Sequence, residues 1–468
     1  MSDIKFGTDG WRAIIAEDFT TENVARVSES VANWLLSQYK EPSVVLGYDC
    51  RFGGKLFADT VAKVFTYKKI KVLMGKGIVS TPMISLGTVQ NKATLGVIIT
   101  ASHNPPSYNG FKLKASYGGP LDQSFVQEIE DGIPRHCGIA YKSIVLTEAE
   151  ESLYLNYLDF EGAYLKQVES NFDLAAIKKS GLKFVYDSMY GAGQNAMFRL
   201  FPEIIHFHRD DNPGFHGQAP EPIHKNLLEV STFIRENGKI DCGLCTDGDA
   251  DRIGLYDDRG NFVDSHHLIL LLIHYLVKYK GMKGKVCVAF STTVKIRMMC
   301  QHYGLELEVV KIGFKYICGI MVKEDVLLGG EESGGIALKG HIPERDGIWM
   351  GLTIWEFMTK TGKSISQLID EVYEITGGFY FDRQDLQITE TQKQKILKRC
   401  HAGELKTFGA MEVIRTENLD GFKFFFSESS WLMIRASGTE PVLRLYAEGR
   451  DKNETDTILD QAKSTLFD

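Results

Sequence analysis

Short apolar runs that end in turn chemistry recur along this chain, separated by stretches of helical spacing. Residues 44–49 read Val-Val-Leu-Gly-Tyr-Asp and lead to Arg51 and Gly53-Gly54. Residues 184–187 (Phe-Val-Tyr-Asp) lead to Gly191-Ala192-Gly193, and residues 286–291 (Val-Cys-Val-Ala-Phe-Ser) lead to Thr292-Thr293. Each run then enters a stretch that predicts a helix, and apolar positions recur at helical spacing over 23–36 and 266–277. Some distance after each run comes a second apolar run that ends in an unusual loop. Residues 95–99 end in Thr-Ala-Ser-His-Asn-Pro, 240–246 in Asp-Gly-Asp-Ala-Asp-Arg, and 326–328 in Gly-Gly-Glu-Glu-Ser-Gly-Gly. The pattern predicts three diverged α/β units with mostly parallel sheets covered on both faces, each sending one strand-end loop to a shared site.

After about residue 371 the pattern changes. The runs Phe422-Lys423-Phe424-Phe425-Phe426 and Trp431-Leu432-Met433-Ile434-Arg435, separated by a polar turn, predict a hairpin, and residues 454–466 predict a closing helix. This is a smaller α+β domain. The expected boundaries are 1–145 with the serine loop, 146–250 with the acidic loop, 251–370 with the Glu-Glu-Ser loop, and 371–468.

Composition narrows the function classes. The 468 residues suffice for several domains, and 44% hydrophobic with 24% charged residues is ordinary for a soluble chain. With 53 basic and 61 acidic residues the net charge is −8, which argues against nucleic acid and membrane surfaces as partners. The N-terminal segment lacks the blocks of a signal peptide, and the greasiest run, 268–277, is too short to span a bilayer. A cytoplasmic location is expected. The 8 cysteines are scattered; Cys242 and Cys245 have CxxC spacing but no second pair completes a zinc site, so they read as buried, inert thiols.

The loops carry the chemistry. Ser102 sits at the tip of a turn held by Asn104-Pro105-Pro106, with His103 beside it to share a proton or touch phosphate. On the following strand, Lys112 and Lys114 share a face, and Lys112 can reach the serine loop as acid, base or charge clamp. The bland alternative is a solvent loop with two surface lysines. A serine hydrolase is disfavoured because no Gly-x-Ser-x-Gly elbow is present. Asp247, Asp249 and Asp251 alternate, so on extended backbone their carboxylates converge and need a hard cation of the Mg²⁺ kind. Arg252 stands where an EF-hand needs glycine. An apolar strand ending in Asp-x-Asp also opens the site of phosphoaspartyl phosphatases, with Asp247 as nucleophile. The loop 330–335 offers Glu331 and Ser333 to sugar hydroxyls. Residues 435–441 (Arg-Ala-Ser-Gly-Thr-Glu-Pro) offer a phosphate nest: the Arg435 fork, the Ser437 and Thr439 hydroxyls, and backbone N–H groups around Gly438, with Arg444 on the next strand.

Taken in order, these loops resemble the α-D-phosphohexomutase superfamily, the phosphoglucomutase/phosphomannomutase family, over nearly the whole chain. Residues 6–12 (Phe-Gly-Thr-Asp-Gly-Trp-Arg) resemble its N-terminal signature, and the four later loops resemble its phosphoserine, magnesium, sugar and phosphate loops. The resemblance implies four domains around a central cleft. It implies Ser102 as the phosphorylated residue and as a further metal contact, and Mg²⁺ on Asp247, Asp249 and Asp251. Lys112, His103 and Arg12 would handle protons and charge; Arg252, Lys315, Glu331, Ser333, Arg435, Ser437, Gly438, Thr439 and Arg444 would bind substrate. It implies a small phosphosugar as partner, glucose 1,6-bisphosphate as activator and intermediate, and a monomer or homodimer. The Glu-Glu-Ser triplet and Gly313-Phe314-Lys315 look more like glucose-specific members. Mannose and glucosamine phosphates are the alternatives, although Gly335 stands where those members carry His. From another class, a catalytically silent protein that binds a sugar bisphosphate has the same residues. Residues 341–347 resemble a segment near the cleft and carry no expected role.

Overall fold

The computed structural model describes residues 4–436 and 442–467. The first sheet contains β1 (Trp11–Ile14), β2 (Ser43–Tyr48), β3 (Lys71–Gly75), β4 (Leu95–Ile99), β5 (Tyr108–Ala115) and β6 (Leu155–Leu158), in the order β1-β5-β4-β2-β3-β6. The second contains β7 (Phe184–Asp187), β8 (Ile205–Phe207), β9 (Cys242–Thr246), β10 (Ile253–Tyr256) and β11 (Phe262–Val263), in the order β11-β10-β9-β7-β8. The third contains β12 (Lys285–Ala289), β13 (Leu307–Val310), β14 (Val326–Gly330) and β15 (Ile336–Leu338), in the order β13-β12-β14-β15.

These sheets share one four-stranded unit. In each, two parallel neighbours flank the first strand of the repeat: β3 and β4 flank β2, β8 and β9 flank β7, and β13 and β14 flank β12. In each, the next strand returns antiparallel, as β5 on β4, β10 on β9 and β15 on β14. The three loops singled out in the sequence are the equivalent turns between these last two strands. The internal repeat, faint in letters, is therefore explicit in topology. Strands β4, β9 and β14 are buried at every position, as expected where helices cover both faces.

Local chemistry sets the helices that position the loops. Ser80 caps the helix Thr81–Gln90 by accepting from Met83 N, with Pro82 in the first turn. Asp346 caps Gly347–Thr361 by accepting from Trp349 N, and Asp264 caps Ser265–His274 by accepting from His267 N. The helix expected over 266–277 turns into a π-helical stretch at Tyr275–Tyr279.

The last unit is antiparallel. It comprises β16 (Tyr380–Gln387), the small pair β17 (Thr407–Phe408) and β18 (Met411–Glu412), then β19 (Arg415–Glu417), β20 (Phe422–Phe425), β21 (Trp431–Ala436) and β22 (Val442–Gly449), with sheet order β16-β22-β21-β20-β19. The expected hairpin is β20–β21, and the closing helix is Lys452–Phe467. Its core around Leu432, Leu445 and Ile458 is separate from the core shared by the other units.

The expected domain boundaries fall too early. Strand β6 lies beyond 145 yet pairs with β3, and β10 and β11 lie beyond 250 yet complete the second sheet. The helix Ile365–Thr376 runs across 370. Turn residues mark where a strand ends, not where its sheet ends, and strand pairing is non-local.

Candidate active site

The serine and acidic loops meet directly. Ser102 adopts φ 52°, a left-handed conformation uncommon outside glycine, and its side chain is buried. Its Oγ donates to Asp247 Oδ2 at 2.6 Å, and His103 Nδ1 lies 3.3 Å from the same oxygen. Its backbone N–H donates to Thr100 Oγ1 at 2.9 Å, and Thr100 in turn donates to Asp49.

The three aspartates converge, but not by strand alternation. The chain turns after Thr246: Ala250 N donates to Asp247 O, and Ala250 sits at φ 57°. An extended segment would separate alternate carboxylates by two residue rises, whereas this turn brings ligand oxygens of Asp247, Asp249 and Asp251 within 4.8 Å of one another. All three are fully buried. Asp249 Oδ1 and Asp251 Oδ1 have no hydrogen-bond partner, so buried acceptors are left for a cation. An all-oxygen donor set of this kind fits a hard divalent ion.

Protein cations hold the rest of the carboxylate charge. Lys112, fully buried on β5, places Nζ 2.8 Å from Asp249 Oδ2, 3.3 Å from Asp251 Oδ2 and 2.9 Å from Asp9 Oδ2. The expected neighbour Lys114 is also buried and pairs with Glu344 at 2.5 Å, so neither lysine is a surface lysine. Burial disfavours the Lys112 ammonium, but Asp249, Asp251 and Asp9 override it and hold its pKa above the ordinary value. Burial likewise raises Asp249, yet Lys112, by charge and hydrogen bond, and then Thr81 hold that carboxyl far below its usual range. Asp247 goes the other way: burial, then Asp249 and Asp251, push its pKa well up. Loss of water around the ring, then Arg252, Arg12 and Lys112, hold His103 well below the usual histidine value, so its imidazole is neutral at pH 7.

The other expected residues divide into two groups. Arg12 donates to Asn104 Oδ1 at 2.7 Å and faces Asp9 at 3.6 Å, so it braces the serine loop. Arg252 donates its backbone N–H to Asp247 Oδ1 at 3.0 Å and bridges to Gly335, which joins the acidic loop to the Glu-Glu-Ser loop. Glu331 is buried and accepts from Gly313 N at 2.9 Å; burial pushes its pKa up to about 7, against the pull of Arg345. Ser333 is half-buried in the same turn. Lys315 instead bonds Gln123 Oε1 at 2.7 Å, across to the first unit. Arg435 and Arg444 stand opposite each other on β21 and β22; Arg435 bonds Asp420 at 3.2 Å, and Arg444 lies 3.7 Å from Asp385. Ser437, Gly438 and Thr439 lie outside the described residues.

Sequence reasoning missed three members. Arg345, in the segment left without a role, places Nη2 2.7 Å from both Asp9 and Asp251. Asp9 receives Lys112 and Arg345 together. Thr81, at the start of its helix, donates its hydroxyl to Asp249 Oδ2 at 2.5 Å and its N–H to Asp249 O at 3.0 Å. The N-terminal signature contained Asp9. Nothing local marked Thr81 or Arg345, whose partners lie in distant parts of the sequence.

Family models for the phosphoglucomutase/phosphomannomutase α/β/α domains I, II and III match residues 3–136, 162–260 and 264–375, and the model for the C-terminal domain matches 397–464. The chain belongs to the phosphoglucomutase/phosphomannomutase family. It is accordingly a phosphohexomutase-type enzyme, an intramolecular phosphotransferase. A phosphoglucomutase/phosphomannomutase of Thermococcus kodakarensis is 28% identical over 97% of this chain and 96% of its own. A phosphoglucosamine mutase of Carboxydothermus hydrogenoformans is 28% identical over 97% of each. Among solved structures, a Thermus thermophilus protein assigned as a phosphomannomutase superposes with a TM-score of 0.87 at 30% identity, covering 99% of both chains. No helix among the described residues is long and apolar enough to cross a membrane.

Gly335 also gains a physical reading. A Cβ there would lie 2.5 Å from Arg345 Cδ, so the glycine leaves room for the guanidinium that reaches Asp9 and Asp251.

Proposed function

We propose that the enzyme interconverts hexose 1-phosphate and hexose 6-phosphate, glucose favoured, through a phosphoserine at Ser102 and a hexose 1,6-bisphosphate intermediate. The observation that carries this reading is the 2.6 Å contact of Ser102 Oγ with Asp247 inside the carboxylate cluster. Asp247, Asp249 and Asp251 would hold Mg²⁺, which when bound neutralises charge on a transferring phosphoryl group. In the first half-reaction the bond between Ser102 Oγ and phosphorus breaks as a sugar hydroxyl oxygen bonds to phosphorus. The sugar hydroxyl proton passes to a base and the released serine oxygen takes up a proton in exchange; His103, with Nδ1 3.3 Å from Ser102 Oγ, is near enough to relay it. Lys112, whose Nζ lies 2.8 Å from Asp249 Oδ2, would serve as a charge clamp on the transferring group. The other phosphoryl group of the bisphosphate then returns to Ser102 Oγ.

Glu331 and Ser333 would contact sugar hydroxyls, with Arg252 and Lys315 at the substrate's edge. Arg435, Arg444 and the 437–439 segment would grip the phosphate that is not reacting. The Glu-Glu-Ser triplet and Gly335 support glucose over mannose or glucosamine. The location would be the cytoplasm, where such phosphosugars are available.

A coupled assay with glucose 1-phosphate, Mg²⁺ and catalytic glucose 1,6-bisphosphate tests the reading, with mannose and glucosamine phosphates run beside it. Ser102→Ala should lose turnover while keeping its fold; full turnover in that variant removes the proposal. A phosphoaspartate on Asp247 would be released by hydroxylamine, whereas a phosphoserine survives acid. The hydrogen bond from Ser102 Oγ to Asp247 speaks for the serine.

A further inference from the structure

The serine loop is held from behind by one buried side chain that none of the reaction chemistry uses. Arg51, just beyond the end of β2, is buried, with its side chain fully excluded from solvent. Its Nη2 donates to Ser102 O and Asn104 O, both at 2.6 Å, and its Nη1 donates to Pro105 O at 2.9 Å and Tyr108 O at 3.1 Å. These carbonyls belong to the turn that carries the nucleophile into β5. The guanidinium also lies over the ring of Phe215, 5.0 Å from its centroid, which brings the second unit against the back of the loop.

We propose that Arg51 is a positioning residue for phosphoryl transfer: its planar fork gathers the serine-loop carbonyls and so fixes the Ser102 hydroxyl against the aspartate cluster. Two further observations support a built device. Ser102 is a non-glycine residue at positive φ, a conformation that persists only where its surroundings over-determine it. The other end of the turn is held through the same stretch of chain, because Asp49 accepts from Arg51 N at 2.9 Å and from Thr100, whose hydroxyl receives the Ser102 N–H. A single cationic fork can satisfy several carbonyls in a fixed geometry. Lysine, a point charge on a flexible stem, cannot. Among the described residues, no hydrogen bond or ion pair joins Arg51 to Asp247, Asp249 or Asp251, so its effect is on where the reacting oxygen sits.

The inference rests on Ser102 as the phosphoryl carrier, and the test separates the two. Arg51→Ala and Arg51→Lys are compared with the unaltered enzyme in hexose phosphate turnover and in hydrogen–deuterium exchange of residues 100–108. The expected result for Arg51→Ala is a kcat lowered about a hundredfold with KM little changed, since misplacement of a reacting group by about 1 Å costs that much. Added guanidinium should restore part of kcat, Arg51→Lys should fall between, and exchange should quicken in the serine loop while the β2–β4 amides stay protected. Unaltered kcat, or a loss that follows KM with loop exchange unchanged, overturns the proposal. If Arg51→Ala does not fold, Arg51→Lys decides alone: wild-type kcat with wild-type loop exchange refutes it. If the unaltered enzyme turns over no hexose phosphate, the mutase reading fails, and the exchange data still decide whether Arg51 holds the loop.

Discussion

Replacing Lys112 by Met keeps the length of the buried stem and removes the charge at its tip. The ammonium lies 2.8 Å from Asp249, 3.3 Å from Asp251 and 2.9 Å from Asp9. At an effective dielectric constant of about 20, the two aspartate-cluster contacts are each worth ~5–6 kcal/mol before desolvation is counted. Removing one partner of such a buried network costs about 3–5 kcal/mol, because the remaining carboxylates stay buried without compensation. The metal-free variant should therefore melt well below the unaltered enzyme. A divalent ion, however, no longer competes with an ammonium for Asp249 and Asp251. Metal affinity should rise at least about tenfold, ~1.4 kcal/mol, which is a modest part of the attraction released. The Mg²⁺-induced rise in melting temperature should also be larger in Lys112→Met than in the unaltered enzyme. Turnover should nevertheless fall, since the charge clamp on the transferring group is gone. Calorimetric titration with Mg²⁺ and melting with and without the ion, on samples matched for phosphorylation, check both effects. Equal or weaker metal binding in the variant would refute the placement of Lys112 as a cation competing for the cluster.

Glu331 should make substrate binding depend on pH near neutrality. Burial pushes its pKa up to about 7 from an ordinary 4.5, so its contribution to folding stability is fullest below the lower value and is lost as pH rises through the higher one. Hydroxyl recognition needs the carboxylate, so hexose phosphate affinity should improve as pH rises through about 7. Glu331→Gln should lack that component when the two pH profiles are divided; identical profiles would remove Glu331 from sugar recognition. Gly248→Ala should disturb catalysis with little change in overall fold, because its Cβ would sit 2.5 Å from Ser102 O and force the two loops apart. Wild-type turnover in Gly248→Ala would show that the loops tolerate that separation.

Much of the site was legible because its chemistry is local. Ser102 with its prolines, the Asp-Gly-Asp-Ala-Asp turn and the Glu-Glu-Ser turn each follow an apolar run, and such runs become buried strands whose ends carry loops. Residue type and spacing suffice for that. The sequence could also place Lys112 on a strand face, two residues from Lys114, because strand alternation is a property of a few consecutive residues. It could not say that both faces of β5 are covered, and therefore that two apparent surface lysines are buried ion-pair partners.

Pairing across sheets and packing between units were decided only in three dimensions. The chain alone marks where an apolar run stops, but not that β10 folds back on β9 or that β6 returns to β3. It spaces the three aspartates, but the left-handed turn at Ala250, not alternation, gathers them. Arg345, Thr81 and Arg51 hold the site through contacts made after long excursions of the chain, by charge and hydrogen bonds that have no local periodicity. Local sequence determined the reactive groups and the strands that end beside them; tertiary structure decided which buried charges compensate one another, because that depends on distances between segments that only folding brings together.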